Sequence, residues 1–172
     1  PTRGGRFAVQ EAEVVGYSWS QGEGHGVYVP EKPHKMAVIL EDPRQEVVCH
    51  NAKFEVTHLK NNGITLTSFH DTKIAAYLLG LPSTHLKDLA VQELGLTPIT
   101  YSEVTDGKDM SELTPEEILD YAAADADNTL RLWDELRLRL ERNLLYGVYE
   151  DIEMPLIPVL SDMERRGVQV NI

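Results

Sequence analysis

The residues best placed by type and spacing to do chemistry are Tyr121 and Asp125, in the run Tyr121-Ala122-Ala123-Ala124-Asp125-Ala126-Asp127. Four apart on a helix, they set a phenol and a carboxylate on one face. The alanines beside them leave room for other backbone, or a ligand, to come close. Asp127 points about 200° round the helix and reads as a solvated or capping residue rather than a partner in the same site. A further acid, Glu55, ends the stretch Asn51-Ala52-Lys53-Phe54-Glu55, where a strand hands over to a helix. Open α/β sheets place their sites at that end of the strands, and the first helical turn favours an anion. Each feature also has an ordinary reading: a solubilising pair on a helix, and a first-turn glutamate behind an asparagine cap.

Other chemistries find no support. His25, His34, His50, His58, His70 and His85 are scattered, with no H-E-x-x-H pair, and no G-x-S-x-G appears. Gly22, Gly24 and Gly26 punctuate a hairpin rather than open a helix, so they are turn residues and not a phosphate loop. Cys49 is the single cysteine, which excludes an internal disulfide and a cysteine-based zinc cluster and fits a reducing cytoplasm.

The elements that must position these residues follow from the pattern. A chain of 172 residues, 42% hydrophobic and 26% charged, suits one globular domain with a real core. Its net charge of −12 argues against an affinity built on neutralising many phosphates. It leaves open a grip on a short nucleic-acid end through metal ions. No apolar run reaches membrane-spanning length and there is no signal peptide. The chain opens on Pro1, without an initiator methionine, so we expect it to be cut from something longer.

Val14 to Trp19 and Val27 to Val29 are expected strands of one hairpin, and Pro33 to Leu40 a short helix. Val47 to His50 reads as a buried strand containing Cys49, and Ala52 to Asn61 as a helix capped by Asn51. Ile64 to Thr67 reads as another strand. Asp71 is the expected cap of the next helix, and Ser83 or Thr84 of the one ending at Gly95. Thr97 to Leu113 reads as an ordered loop. Thr114, Pro115 and Glu117 form a capping box that starts a helix to about Arg142, burying Ala126, Leu130, Trp133, Leu136 and Leu140. Ile152 to Met163 looks amphipathic, and Val168 and Val170 begin something extended. Strands first, then strands alternating with helices, then helices, means α/β with a mixed sheet.

The order of these pieces resembles the proofreading 3′–5′ exonuclease domain of bacterial family A DNA polymerases. The resemblance rests on Asn51 to Glu55, Asp71-Thr72 with Tyr77-Leu78-Leu79, His85-Leu86-Lys87-Asp88-Leu89-Ala90, and Tyr121 to Asp127. Ile152-Glu153-Met154-Pro155-Leu156 and Met163 to Val168 resemble the join into the polymerase domain. The likeness implies a ribonuclease H-like mixed sheet flanked by helices, with residues 1–146 as exonuclease domain and 147–172 as the start of a polymerase domain. It implies a phosphodiester hydrolysis in which carboxylates hold two divalent cations, Mg2+ or Mn2+, about 3.5–4 Å apart. Asp125 would be a metal ligand, Tyr121 would orient the attacking water, and Glu55 stands at a metal-ligand position that is normally aspartate. Asn51 and Tyr101 resemble positions that contact a single-stranded DNA 3′ end, where an aromatic could stack on a base. Tyr101 as a plain loop aromatic is the alternative.

Two departures stand out. The family's opening Asp-x-Glu strand, central to the sheet, is absent. Glu11-Ala12-Glu13 has its spacing but sits at the edge of the next strand. Glu55 adds a methylene, which moves its oxygens by more than the roughly 0.5 Å that catalytic constellations tolerate. The competing expectation is therefore a catalytically inactive domain that braces the polymerase. A free-standing RNA-trimming relative fits the tail less well.

Overall fold

The computed structural model describes residues 2–3, 13–108, 112–167 and 169. In chain order, β1 (Thr2–Arg3) pairs antiparallel with β2 (Glu13–Val14), and β3 (Tyr17–Ser20) forms a hairpin with β4 (Gly26–Val29). A 3₁₀ turn (Pro33–Met36) leads into α1 (Ala37–Leu40). Then come β5 (Val47–Cys49), α2 (Ala52–Asn61), β6 (Phe69–Asp71), α3 (Thr72–Leu78), α4 (Leu86–Leu94) and α5 (Tyr101–Thr105). The long α6 (Pro115–Arg142) is followed by α7 (Tyr146–Val148), a π turn (Tyr149–Glu153) and α8 (Met154–Arg166).

The structure is α/β, and among the described residues its strands form three two-stranded sheets, two antiparallel and one parallel, rather than the single mixed sheet expected. β5 and β6 run parallel, Val47 opposite Phe69 and Cys49 opposite Asp71, with α2 as the crossover. Among the described residues no ladder joins this pair to the β3–β4 hairpin. Helix α6 holds them instead, packing on β3, β4 and β5 and on α3 and α4. The alanines that open α6 serve this contact: a Cβ on Gly26 would overlap the Ala123 carbonyl, so the hairpin backbone lies directly on the helix. Leu132, Trp133, Leu136 and Leu140 of α6 are buried in the main core with Ala52, Val56, Leu89 and Ala75. Ala126 and Leu130 are only half-buried, and Leu132 takes the expected place in the core. Cys49 is buried in its strand as expected.

The strand expected over residues 64–67 is not there. Ile64 and Leu66 alternate inward, but their segment bonds to the Leu59 and Leu40 carbonyls and the Glu41 carboxylate rather than to a strand. The ladder belongs to β6, two residues on. The loop expected over 97–113 contains α5, opened by a Thr100–Glu103 capping box of the same kind that starts α6. Val168, Val170 and Glu11-Ala12 lie outside the described residues.

The C-terminal helices are seated on the same core, with Tyr149, Met154 and Ile157 buried in it. Helix α8 lies along α2. Ser161 Oγ meets Thr57 Oγ1 at 2.7 Å in a buried contact, and Lys53 pairs with Glu164 at 2.6 Å. The helix ends at Gly167, where φ is +69°.

Candidate active site

Helix α6 presents Tyr121 and Asp125 one turn apart, and α4 brings a third group to them. Leu89 and Ala90 of α4 are fully buried against the core, and Glu93 pairs with Arg139 of α6, so the two helices are fastened along their length. This seats Lys87 with its ammonium on Asp125 Oδ1 and 4.1 Å from the centroid of the Tyr121 ring. The Tyr121 phenol and the Asp125 carboxylate are close enough to act on each other electrostatically. Burial pushes the Tyr121 phenol well above its ordinary range, and the Asp125 charge adds to this. Burial likewise raises the Asp125 carboxyl, against the opposing pull of the Lys87 hydrogen bond and charge. Tyr101, the first residue of α5 and 51% exposed, is close enough to act electrostatically on the Tyr121 phenol.

A second acidic group lies where β5 passes into α2. Asn51 adopts a left-handed conformation, φ +74°, and its side chain makes no capping bond, contrary to the expected cap. Asp71 does that work from the neighbouring strand. Its carboxylate accepts from Asn51 N at 2.9 Å and Ala52 N at 2.8 Å, and also from Lys73 N at 2.8 Å at the start of α3. One side chain thus serves the N-termini of two helices. Tyr149 Oη accepts the Asp71 N–H at 2.7 Å from beneath. Glu55 stands beside this cluster, close enough to feel the Asp71 charge. Its Oε2 is buried with no hydrogen-bond partner, and burial raises its carboxyl from 4.5 to about 8.

The structure thus brings Tyr121, Asp125 and Tyr101 together, and sets Asn51 and Glu55 beside Asp71. Among the described residues no hydrogen bond or ion pair links Glu55 to Asp125. Asp127 is buried rather than solvated, and Oδ1 accepts the Gly24 N–H at 2.8 Å and the Ser20 hydroxyl at 3.4 Å. It ties the hairpin turn to α6. At the start of α4, His85 holds the cap position without a side-chain bond, while Ser83 Oγ accepts the His85 N–H at 3.1 Å and donates to Asp88. Lys87 was missing from the sequence-based candidates. Its signal was faint: a cation in a helix's first turn opposes the dipole and implies an acidic partner.

In kind, the donors suit a hard divalent ion: two carboxylates, one with an orphaned buried oxygen. In number they are short, since no group of three or more His, Cys, Asp or Glu among the described residues is arranged to hold a metal.

The chain is similar to known proteins in sequence and in fold. A family model described as 3′–5′ exonuclease matches residues 10–141. DNA polymerase I of Rhizobium leguminosarum is 39% identical over 144 residues, covering 80% of this chain and 14% of that protein. DNA polymerase I of Pseudomonas aeruginosa is 35% identical over 188 residues, covering 94% of the chain and 20% of that protein. The chain thus spans a small part of these relatives' length. Among solved structures, Brucella melitensis NrnC superposes with a TM-score of 0.84 at 21% identity, covering 97% of this chain and 82% of that one, a likeness of fold. NrnC has also been solved with bound Mg2+. The structure described as the POL domain of Pol1 from M. smegmatis, in complex with DNA primer-template and dNTP, matches at TM-score 0.69 and 27% identity, over 86% of this chain and 25% of that one. From the match over residues 10–141 and these identities, the chain belongs to the 3′–5′ exonuclease family of the bacterial family A DNA polymerases.

Proposed function

We propose that this domain removes mispaired nucleotides from a single-stranded DNA 3′ end, releasing nucleoside monophosphates, within a chain that continues from residue 147 into a polymerase domain. The observation that carries the reading is the placing of Tyr121 and Asp125 one turn apart on α6, with the exposed Tyr101 ring near the phenol. Asp125 and Glu55 would hold divalent cations, Mg2+ or Mn2+. Such ions, when bound, activate water and stabilise the leaving 3′-oxygen. Tyr121 keeps its proton at neutral pH because burial and a neighbouring carboxylate both disfavour the phenolate. Its protonated hydroxyl, facing Asp125, can orient a water on the phosphorus through an oxygen lone pair. Tyr101 offers a flat exposed surface on which an unpaired base can stack. Asn51, at the turn into α2, offers a polar side chain that no capping bond consumes. The net charge of −12 is consistent with an affinity that resides at the strand end rather than along many phosphates.

The test is magnesium-dependent digestion of a 3′-mismatched primer by the full-length protein and its Asp125→Ala variant. Digestion by the parent that collapses in the variant supports the reading. Equal rates remove Asp125 from the mechanism, and no digestion by either protein favours the inactive brace.

A further inference from the structure

Lys87 is a tethered cation at the carboxylate that the proposed reaction needs. Three observations mark it out from the pairs that fasten α8 to α2. Its ammonium and the Asp125 carboxylate are both largely enclosed, with side-chain exposures of 22% and 25%. The pairs that fasten α8 to α2 are more open, at 35% and 46% for Lys53 and Glu164. The ammonium also lies over the face of Tyr121, 4.1 Å from the ring centroid, so the ring quadrupole replaces part of its hydration. Finally, its backbone is fixed: Leu89 and Ala90 anchor α4 in the core and Glu93–Arg139 fastens the helix to α6. The side chain starts from the first turn of α4, where the helix dipole repels a cation. Asp125 is the acid that holds it there.

We propose that Lys87 is a built-in competitor for metal at Asp125: a divalent cation reaching this carboxylate must first displace the ammonium, so Lys87 sets the metal affinity of the site. The inference rests on the reading of Asp125 as a metal ligand. Lys87 is a positioning residue in this account. It holds the carboxylate ionised and oriented against the cost of burial, and releases it to a more highly charged ion. The same contact with Tyr121 couples the two events, because moving the ammonium off the carboxylate also moves it off the ring.

The test is calorimetric titration of Mn2+ into the full-length protein, comparing the parent with Lys87→Met, Lys87→Arg and Asp125→Asn. The Asp125-dependent site is the binding lost in the Asp125→Asn variant. Lys87→Met is expected to tighten that site on the order of tenfold, the usual size of coupling between competing ligands. Lys87→Arg retains the charge and is expected to stay near the parent. Should Lys87→Met unfold, Lys87→Gln serves the same comparison. Unchanged or weaker Mn2+ binding without the lysine charge overturns the competitor, while loss of the site in Asp125→Asn still upholds the metal reading. Full Mn2+ binding in Asp125→Asn overturns the metal reading, and the competitor with it.

Discussion

Two acidic clusters lie in this domain, and they keep their charges in opposite ways. Around Asp125 the carboxylate is matched by another side chain, the Lys87 ammonium, with the Tyr121 phenol nearby. Around Asp71 the carboxylate is matched by backbone, three N–H groups from the starts of two helices. Glu55, next to that second cluster, has no such set of partners, and its buried Oε2 is unpartnered. A side-chain counterion can be exchanged for another cation; a carboxylate saturated by backbone cannot leave without opening the fold. The difference separates a group free to take part in chemistry from one committed to structure, and it leaves Glu55 as the acid with most to gain from a ligand.

The comparison breaks most visibly on activity. Asp125→Ala is expected to lower mismatch digestion by the full-length protein by at least on the order of 10²-fold, the scale of losing one principal electrostatic group. Its thermal stability should fall less than that of Asp71→Ala, because a single side-chain pair is broken. Asp71→Ala should do the reverse. It strips a partner from three amides at two helix starts, and denaturant unfolding should show a loss of about 4 kcal/mol. Nuclease loss in that variant should track unfolding.

Glu55 gives a pH test with a definite sign. Its carboxyl is raised from 4.5 to about 8 in the fold, so between these values the unfolded chain binds fewer protons than the native one. Stability contributed by the protonated form is full below pH 4.5 and is lost as pH rises through 8. Glu55→Gln should therefore match the parent in acid and exceed it increasingly up to pH 8, by up to about 5 kcal/mol. A constant difference across this window would place Glu55 in a wetter, partnered setting. His50 runs the other way. Burial and the nearby Lys73 lower it to about 4, so the native state loses stability as pH falls below 6.5. The smallest expected effect lies far from both clusters. Glu164→Gln removes the partner of Lys53 on the α2–α8 seam and should cost about 0.5 kcal/mol.

What the amino-acid order determined by itself was local. The bounds of α2 and α6, the hairpin with Tyr17 opposite Val29, and the helix stop at Gly95 all follow from groups within a few positions of one another. The Tyr121–Asp125 face belongs here too, since a four-residue spacing on a helix is a local property. Even the missed α5 was local: Thr100 and Glu103 form the same box as Thr114 and Glu117, overlooked because its helix has five residues and little apolar pattern.

What only the tertiary structure decided was which partner each charge would find. Lys87 reaches Asp125 across 38 positions, Asp127 reaches Gly24 across 103, and Asp71 reaches Ala52 across 19. Which of Ile64–Thr67 and Phe69–Asp71 would pair with β5 was equally non-local, because both segments carry strand-like alternation and only one meets the neighbouring ladder. Burial and electrostatic pairing depend on distances in space that residue type does not encode, so identical carboxylates became a site, a double cap and a hairpin clasp only once the chain had packed.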